Sequence, residues 1–178
     1  MARRSLPLSE VYRLIEPGPV VLLTTAAKGR ANAMPLSWHT MLEFVPPTLA
    51  CVVSNRNFSF RALRSTRECV IAIPTVELAE KVVACGNATG RALDKFAAFG
   101  LTPVPASRVA APLIAECYAN LECKVADTRA VAKYCLFVLE VVKAWIDPAR
   151  KRPRTIHHQG RGVFMVAGRT IKLRSAKA

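Results

Sequence analysis

The sequence predicts a closed antiparallel β-barrel with two or three helices on its outside, and three observations carry that expectation. Short β-branched, apolar runs recur between turn signals, as in VVLLTT (20–25), TLACVVS (48–54) and CVIAIP (69–74). Such runs seldom alternate one-for-one with helical stretches, which disfavours a doubly wound parallel sheet. At 178 residues and 52% hydrophobic content, one domain (1–178) can bury a core without disulfide or metal staples.

The elements follow in order. VYRLIE (11–16) reads as a short helix closed by Pro17-Gly18-Pro19, and VVLLTT as a strand. Lys28-Gly29 offers a hairpin turn into ANAMPLSWHTMLEF (31–44), read as a single strand. Val45-Pro46-Pro47 ends it, because proline cannot donate to a ladder and restricts the residue before it. TLACVVS is a buried strand. In NRNFSFRALRSTREC (55–69) the period changes: Phe60 and Leu63 fall three apart with Arg61, Arg64 and Arg67 between and beyond, which fits a short amphipathic helix. CVIAIP returns to strand.

Thr75 is expected to cap a helix over VELAEKVVAC (76–85) that Gly86 stops. A second helix, RALDKFAAF (91–99), ends at Gly100, and LTPVPAS (101–107) is a proline-broken loop. Within ECYANLECKV (116–125), alternation puts Cys117, Ala119, Leu121 and Cys123 on one face and Tyr118, Asn120 and Glu122 on the other. KYCLFVLEVVKAW (133–145) is a long apolar strand, and VFMVAGRTIKL (163–173) a hairpin around Ala167-Gly168.

The net charge of +14 raises nucleic acid as a partner, but its distribution argues against one. Residues 150–178 hold nine Lys or Arg and no acid, whereas residues 31–149 carry twelve basic and ten acidic side chains. The excess belongs to the ends, above all to RKRPR at 150–154, and reads first as a solvated basic C-terminal segment. No apolar run reaches the roughly 20 residues that span a bilayer. No apolar signal core follows the basic N-terminus, so a cytoplasmic protein with no membrane partner is expected. The six cysteines form no C-x-x-C pair, and Cys51, Cys69, Cys117 and Cys135 sit in strand-like apolar runs as small hydrophobes. Neither a disulfide framework nor a metal site is expected.

Four segments can carry chemistry. In SNRNFSF, Ser54, Asn55, Arg56, Asn57 and Ser59 lie where a strand gives way to a helix; free N–H groups, hydroxyls and a guanidinium there suit a phosphate. The alternative is an ordinary helix cap beside a surface arginine. ACGNATGRALDKF (84–96) is neither a Walker A loop nor G-x-G-x-x-G, and leaves Thr89, Arg91, Asp94 and Lys95 either as ligand groups or as plain capping and a solvent-facing ion pair. PLSWHT (35–40) can line a flat aromatic ligand or be a packed tryptophan beside a hydrogen-bonded histidine. His157 and His158 are adjacent on an extended chain, so they point apart and cannot readily chelate one ion; they read as loop residues. No nucleophile elbow, H-E-x-x-H or paired carboxylate supports hydrolysis.

Taken together, NAMPLSWHTMLEFVPP, CVVSNRNFSFRALRSTRECVIAIP and KVVACGNATGRALDKFAAFGLTPV, followed by PLIAECYANLECKV, resemble the flavin reductase-like family of FMN-binding split barrels that contains flavoredoxin. The resemblance runs over about residues 18–145, and G-R-x-x-D-K-F followed by GLTP is its most specific string. It implies a mainly β, Greek-key split barrel with peripheral helices, usually a homodimer, binding FMN near the subunit interface. It implies that Pro35, Leu36, Ser37 and Trp38 lie along the flavin ring and that Ser54, Asn55, Arg56, Asn57 and Ser59 hold the phosphate. Arg91, Asp94 and Lys95 would reach the polar parts of the flavin, with Lys95 or Arg91 supplying a cation where negative charge develops on reduction. Thr89 stands where the family often has serine.

The implied activity is electron transfer from NADH or NADPH through FMN to a flavin or protein acceptor, with no side chain assigned as catalytic. The other class is a basic, non-enzymatic barrel binding nucleic acid or another polyanion, though it lacks the clustered aromatics that stack bases.

Overall fold

The computed structural model describes residues 18–171. The expected helix at 11–16, and the last part of the segment read as a hairpin around Ala167-Gly168, lie outside the described residues.

Seven strands pair in one antiparallel sheet: β1 (Val21–Ala27), β2 (Arg30–Leu36), β3 (His39–Glu43), β4 (Thr48–Val52), β5 (Glu68–Ile73), β8 (Ala119–Asp127) and β9 (Leu136–Ile146). Their order is β2-β1-β5-β8-β9-β4-β3. Two short pairs lie apart from it, β6 (Pro103–Val104) with β7 (Leu113–Ile114), and β10 (Ile156–His158) with β11 (Phe164–Val166). The helices are α1 (Phe58–Thr66), α2 (Ala79–Asn87), α3 (Lys95–Phe99) and the single turn α4 (Val131–Tyr134).

The run ANAMPLSWHTMLEF is not one strand. It breaks at Ser37-Trp38, so that β2 forms one edge of the sheet and β3 the opposite edge. Two intervening residues hold Leu36 and His39 within about 11 Å of each other. The sheet therefore curls until its edges meet at that corner, which closes a split barrel without pairing the two edge strands. The corner is fastened by Val52 N donating to Trp38 O at 3.0 Å and by His39 N donating to Ser37 O at 3.1 Å. The His39 ring reaches Pro19 O at 2.7 Å, so this histidine is structural. Trp38 leaves 54% of its surface exposed.

Alternation sends the two faces of the sheet into two cores. Val21, Leu23, Leu49, Cys51, Cys69, Ile71, Cys123, Phe137 and Leu139 fill the barrel, plugged by Phe60 and Leu63 of α1. Leu22, Ala33, Val70 and Ala72 face outward beneath α2, α3 and Ile156 of β10. The expected single face of ECYANLECKV divides between them: Cys117 precedes β8 and joins the outer core, while Cys123 enters the barrel. Cys135 is likewise not in a strand; it caps α4 with φ 55°. Glu122 is fully buried and accepts from Trp145 Nε1 at 2.7 Å and from Ser107 N and Oγ at 3.1 and 3.0 Å. Burial works to raise its pKa, yet these donors hold the carboxyl below the ordinary range.

Turn chemistry locates the site. Lys28 and Gly29, at φ 53° and 73°, make the expected tight hairpin between β1 and β2. Thr75 caps only a 3₁₀ turn, Val76–Leu78; its hydroxyl bonds Glu77, and α2 starts afterwards. Gly86 does not stop α2, which continues to Asn87 because Gly86 is the point where the helix lies against Pro35; a Cβ there would stand 3.1 Å from the proline ring. The helix expected over 91–99 starts only at Lys95, because Asp94 caps it by accepting from Phe96 N and Ala97 N. At the C-terminal end the hairpin turns at Gly160-Arg161-Gly162, all at positive φ, instead of at Ala167-Gly168.

Candidate functional site

Two adjoining hollows lie where α1, α2 and the loop before α3 meet β2. The first, about 260 Å³, is polar. Arg56, Asn57 and Ser59 reach it from the start of α1, Asn32 and Met34 from β2, and Thr89, Gly90 and Lys95 from the loop and the start of α3. The second, about 350 Å³, is mainly apolar, with Val20, Leu36, Val82 and Phe164 in its walls and Ser37, Asn87 and His158 as polar members. Pro35 and Gly86 line both, so the two form one groove with a polar and an apolar end.

The polar end is built from buried groups. Asn32, Ser59 and Lys95 are 3%, 0% and 4% exposed. Asn32 Nδ2 donates to Ser59 Oγ at 2.8 Å, which fixes the amide across the strand–helix junction. Lys95 Nζ donates to Cys85 O at 2.6 Å. Burial lowers the lysine pKa, an effect that the neighbouring Cys85 partly opposes. Two cations, Arg56 and Lys95, open on this hollow, and no carboxylate among the described residues lines it. A buried ammonium with a carbonyl for partner is costly unless an anion completes its shell. The free amides at the start of α1, whose Asn57 cap makes no side-chain bond, add donors on the same side. This donor-rich hollow suits a phosphate, and the apolar continuation past Pro35 suits a planar ring.

The groove thus unites Pro35, Leu36, Ser37, Arg56, Asn57, Ser59 and Lys95 from the expected set. Trp38 turns outward beyond the corner. Ser54 supports the loop, its hydroxyl accepting from Arg56 N at 3.3 Å and its carbonyl from Asn57 N at 2.9 Å. Asn55 lines a different hollow, on the far side of Arg56. Asp94 is occupied as the α3 cap, and Arg91 is exposed with its carbonyl facing Arg30.

Sequence reasoning did not assign Asn32, Phe58 or Phe164 to the site, and read His158 as a loop residue. Asn32 carried a signal, since asparagine is disfavoured in a strand interior that is otherwise apolar. His158 and Phe164, whose rings lie 5.2 Å apart, reach the groove only because Ile156 anchors the hairpin in the outer core, a long-range contact that spacing does not show.

Gly90 makes a sharp test of the polar end. A Cβ there would stand 2.2 Å from Asn32 Oδ1 and 2.7 Å from Phe58 Cδ1. Asn32 is held by Ser59, and the Phe58 ring lies beneath the Arg30 guanidinium at 5.5 Å, so neither yields freely. Gly90→Ala should cost about 1–3 kcal/mol by overpacking, read as a lowered midpoint in urea denaturation.

Comparison with known proteins places this architecture. The family model described as "Flavin reductase like domain" matches residues 12–164. The uncharacterized protein YddH of Escherichia coli (strain K12) is 31% identical over 179 residues, covering 92% of this chain and 94% of that protein. Among solved structures, an FMN-binding domain of a flavin reductases-like enzyme from Shewanella baltica OS155 superposes with a TM-score of 0.82 at 26% identity, covering 96% of this chain and 97% of that one. Flavoredoxin of Desulfovibrio vulgaris (Miyazaki F) shares the fold, with a TM-score of 0.82 at 22% identity over 99% of this chain and 97% of its own. With the family model spanning most of the chain and the split barrel matching end to end, the protein belongs to the flavin reductase-like family.

Proposed function

We propose that the protein is an FMN flavoprotein that takes electrons from NADH or NADPH and passes them to a flavin or protein acceptor. The observation that carries this reading is the groove, with its cation-rich end, lined by no carboxylate among the described residues, opening into an apolar end at Pro35 and Gly86. FMN, when bound, supplies two-electron redox chemistry. Arg56, Asn57, Ser59 and the first amides of α1 would hold its phosphate, and Pro35, Leu36 and Ser37 would flank its ring. Lys95 shares the hollow of Arg56 and Ser59, which supports placing its charge with the phosphate. The chain's own contribution is binding, orientation and exclusion of water; no side chain is needed as acid or base.

The visible spectrum tests the reading. Oxidised-flavin bands should appear in the purified protein or on adding FMN, and anaerobic NADH or NADPH should bleach them. A protein indifferent to FMN contradicts the reading, and an FMN-loaded protein bleached by neither nucleotide reduces it to an electron carrier.

A homodimer belongs to the same proposal. The outer edge of β3 and the turn after it expose Met41, Leu42, Phe44 and Val45, the last two at 85% and 86%. An apolar edge strand with no outer partner among the described residues invites a covering surface, and a second copy is the occupant we assign. Sedimentation should give twice the mass of one chain, and Phe44→Glu with Val45→Glu should halve it. A wild-type monomer would remove the assignment.

A further inference from the structure

We propose that a third hollow, between α1 and α4, binds the 2′-phosphoadenosine end of NADPH and so selects NADPH over NADH. This rests on the reading above that a nicotinamide nucleotide is the electron donor.

The hollow is about 650 Å³ and is lined by Asn55, Phe60, Arg61, Arg64 and Ser65 on one side and by Val131, Ala132 and Cys135 of the α4 turn on the other. Arg61 and Arg64 are exposed, and neither meets a carboxylate among the described residues, where the ion pairs involve Arg129 and Arg150. No acid among the described residues lines the hollow. Residues three apart on a helix are surface neighbours, roughly 5–6 Å between Cβ atoms, so both guanidinium groups can close on one anion. A phosphate monoester fits that pair better than a carboxylate, because it offers three oxygens and close to two charges to two planar forks.

The remaining wall, Phe60, Val131 and Ala132, is apolar and can carry the flat face of a base. The position relative to the flavin groove is fixed by the backbone. Asn55 lines this hollow while Arg56 and Asn57 line the polar hollow, so the two are joined along about 7 Å of chain. The hollow thus adjoins the phosphate end of the groove, and the rest of the dinucleotide would run along the groove to its ring end at Pro35 and Leu36. An NADH molecule lacks the 2′-phosphate and would leave both arginines without an anion, which makes the pair a determinant of cofactor choice and not of FMN binding.

The test is calorimetric titration of the full chain, with and without FMN, using 2′,5′-ADP and 5′-AMP as probes. 2′,5′-ADP should bind at least tenfold more tightly than 5′-AMP, with an affinity that falls as salt rises. Arg61→Ala and Arg64→Ala should each weaken 2′,5′-ADP about tenfold, leave 5′-AMP nearly unchanged and leave FMN affinity intact. In the FMN-loaded protein the same variants should raise KM for NADPH about tenfold while kcat and the NADH kinetics hold. Equal affinity for the two probes, or 2′,5′-ADP binding that survives both substitutions, overturns the assignment. FMN titrations that fail while 2′,5′-ADP still responds to both arginines would sink the flavin reading and leave the arginine site standing.

Discussion

Replacing Lys95 with methionine should weaken FMN binding by about 10- to 100-fold while leaving the FMN-free protein as stable as before, or more so. The two halves of that result come from one fact. Lys95 is 4% exposed and its ammonium donates to the Cys85 carbonyl, so the fold buries a cation with no carboxylate of the described residues lining its hollow. Methionine keeps the length of the side chain and removes the charge, which relieves the desolvation cost. A ligand phosphate, by contrast, loses a charge-assisted bond of about 1.5–3 kcal/mol, which sets the expected loss of affinity.

The pH dependence has a definite sign. Burial places the folded-state pKa of Lys95 below its unfolded value, so between the two the unfolded chain binds more protons and stability rises with pH. The penalty is therefore full below the folded pKa and fades as pH climbs through it toward the ordinary lysine value. Chemical denaturation of wild type and Lys95→Met should show curves that converge at alkaline pH. A variant less stable than wild type at neutral pH, with FMN affinity unchanged, would make Lys95 a structural residue only.

The second large effect is discrimination between FMN and riboflavin. Arg56→Ala combined with Ser59→Ala removes a guanidinium and a hydroxyl from the polar hollow but touches nothing at the apolar end. FMN should lose about 100-fold in affinity and riboflavin less than threefold, since riboflavin lacks the phosphate. Ser59 also accepts from buried Asn32, so the variant should lose about 1–3 kcal/mol of stability as well. Comparison of the two ligands on the same protein cancels that loss. Equal weakening of FMN and riboflavin would contradict a phosphate at this end.

The strands and their turns were legible because they are local. Lys28-Gly29, the period change at Phe60 and Leu63 and the αL stop at Gly100 each act within a few residues. The break at Ser37-Trp38 was not legible. Both halves of that run are strand-forming, and only closure of the sheet forces one residue run to serve two opposite edges. Gly86 reads as a helix stop from sequence, yet its small size is used sideways, against Pro35, a contact made only by the fold. Asp94 shows the converse: its carboxylate belongs to the cap of α3, an N-cap pattern visible in the sequence but outranked there by the family resemblance.

The polar end of the groove was read from charge and hydroxyl chemistry clustered in SNRNFS. The apolar end depends on His158 and Phe164, more than a hundred residues from Pro35, and no spacing rule links them. Basic RKRPR is partly explained by the fold. Arg150 Nη1 donates to Thr75 Oγ1 at 2.9 Å and Arg154 O accepts from Val76 N at 2.8 Å, so this segment straps the end of β9 to the turn before α2.

The claim at the centre is that two hollows sharing Pro35 and Gly86 act as one ligand groove. A ¹H–¹⁵N correlation spectrum of the FMN-free protein titrated with FMN tests it most directly. Shifts should concentrate at residues 32–37, 56–59, 85–95 and 158–164, saturating together at one ligand per chain. Shifts that leave those four segments still, or that move the polar and apolar ends with different midpoints, would contradict it.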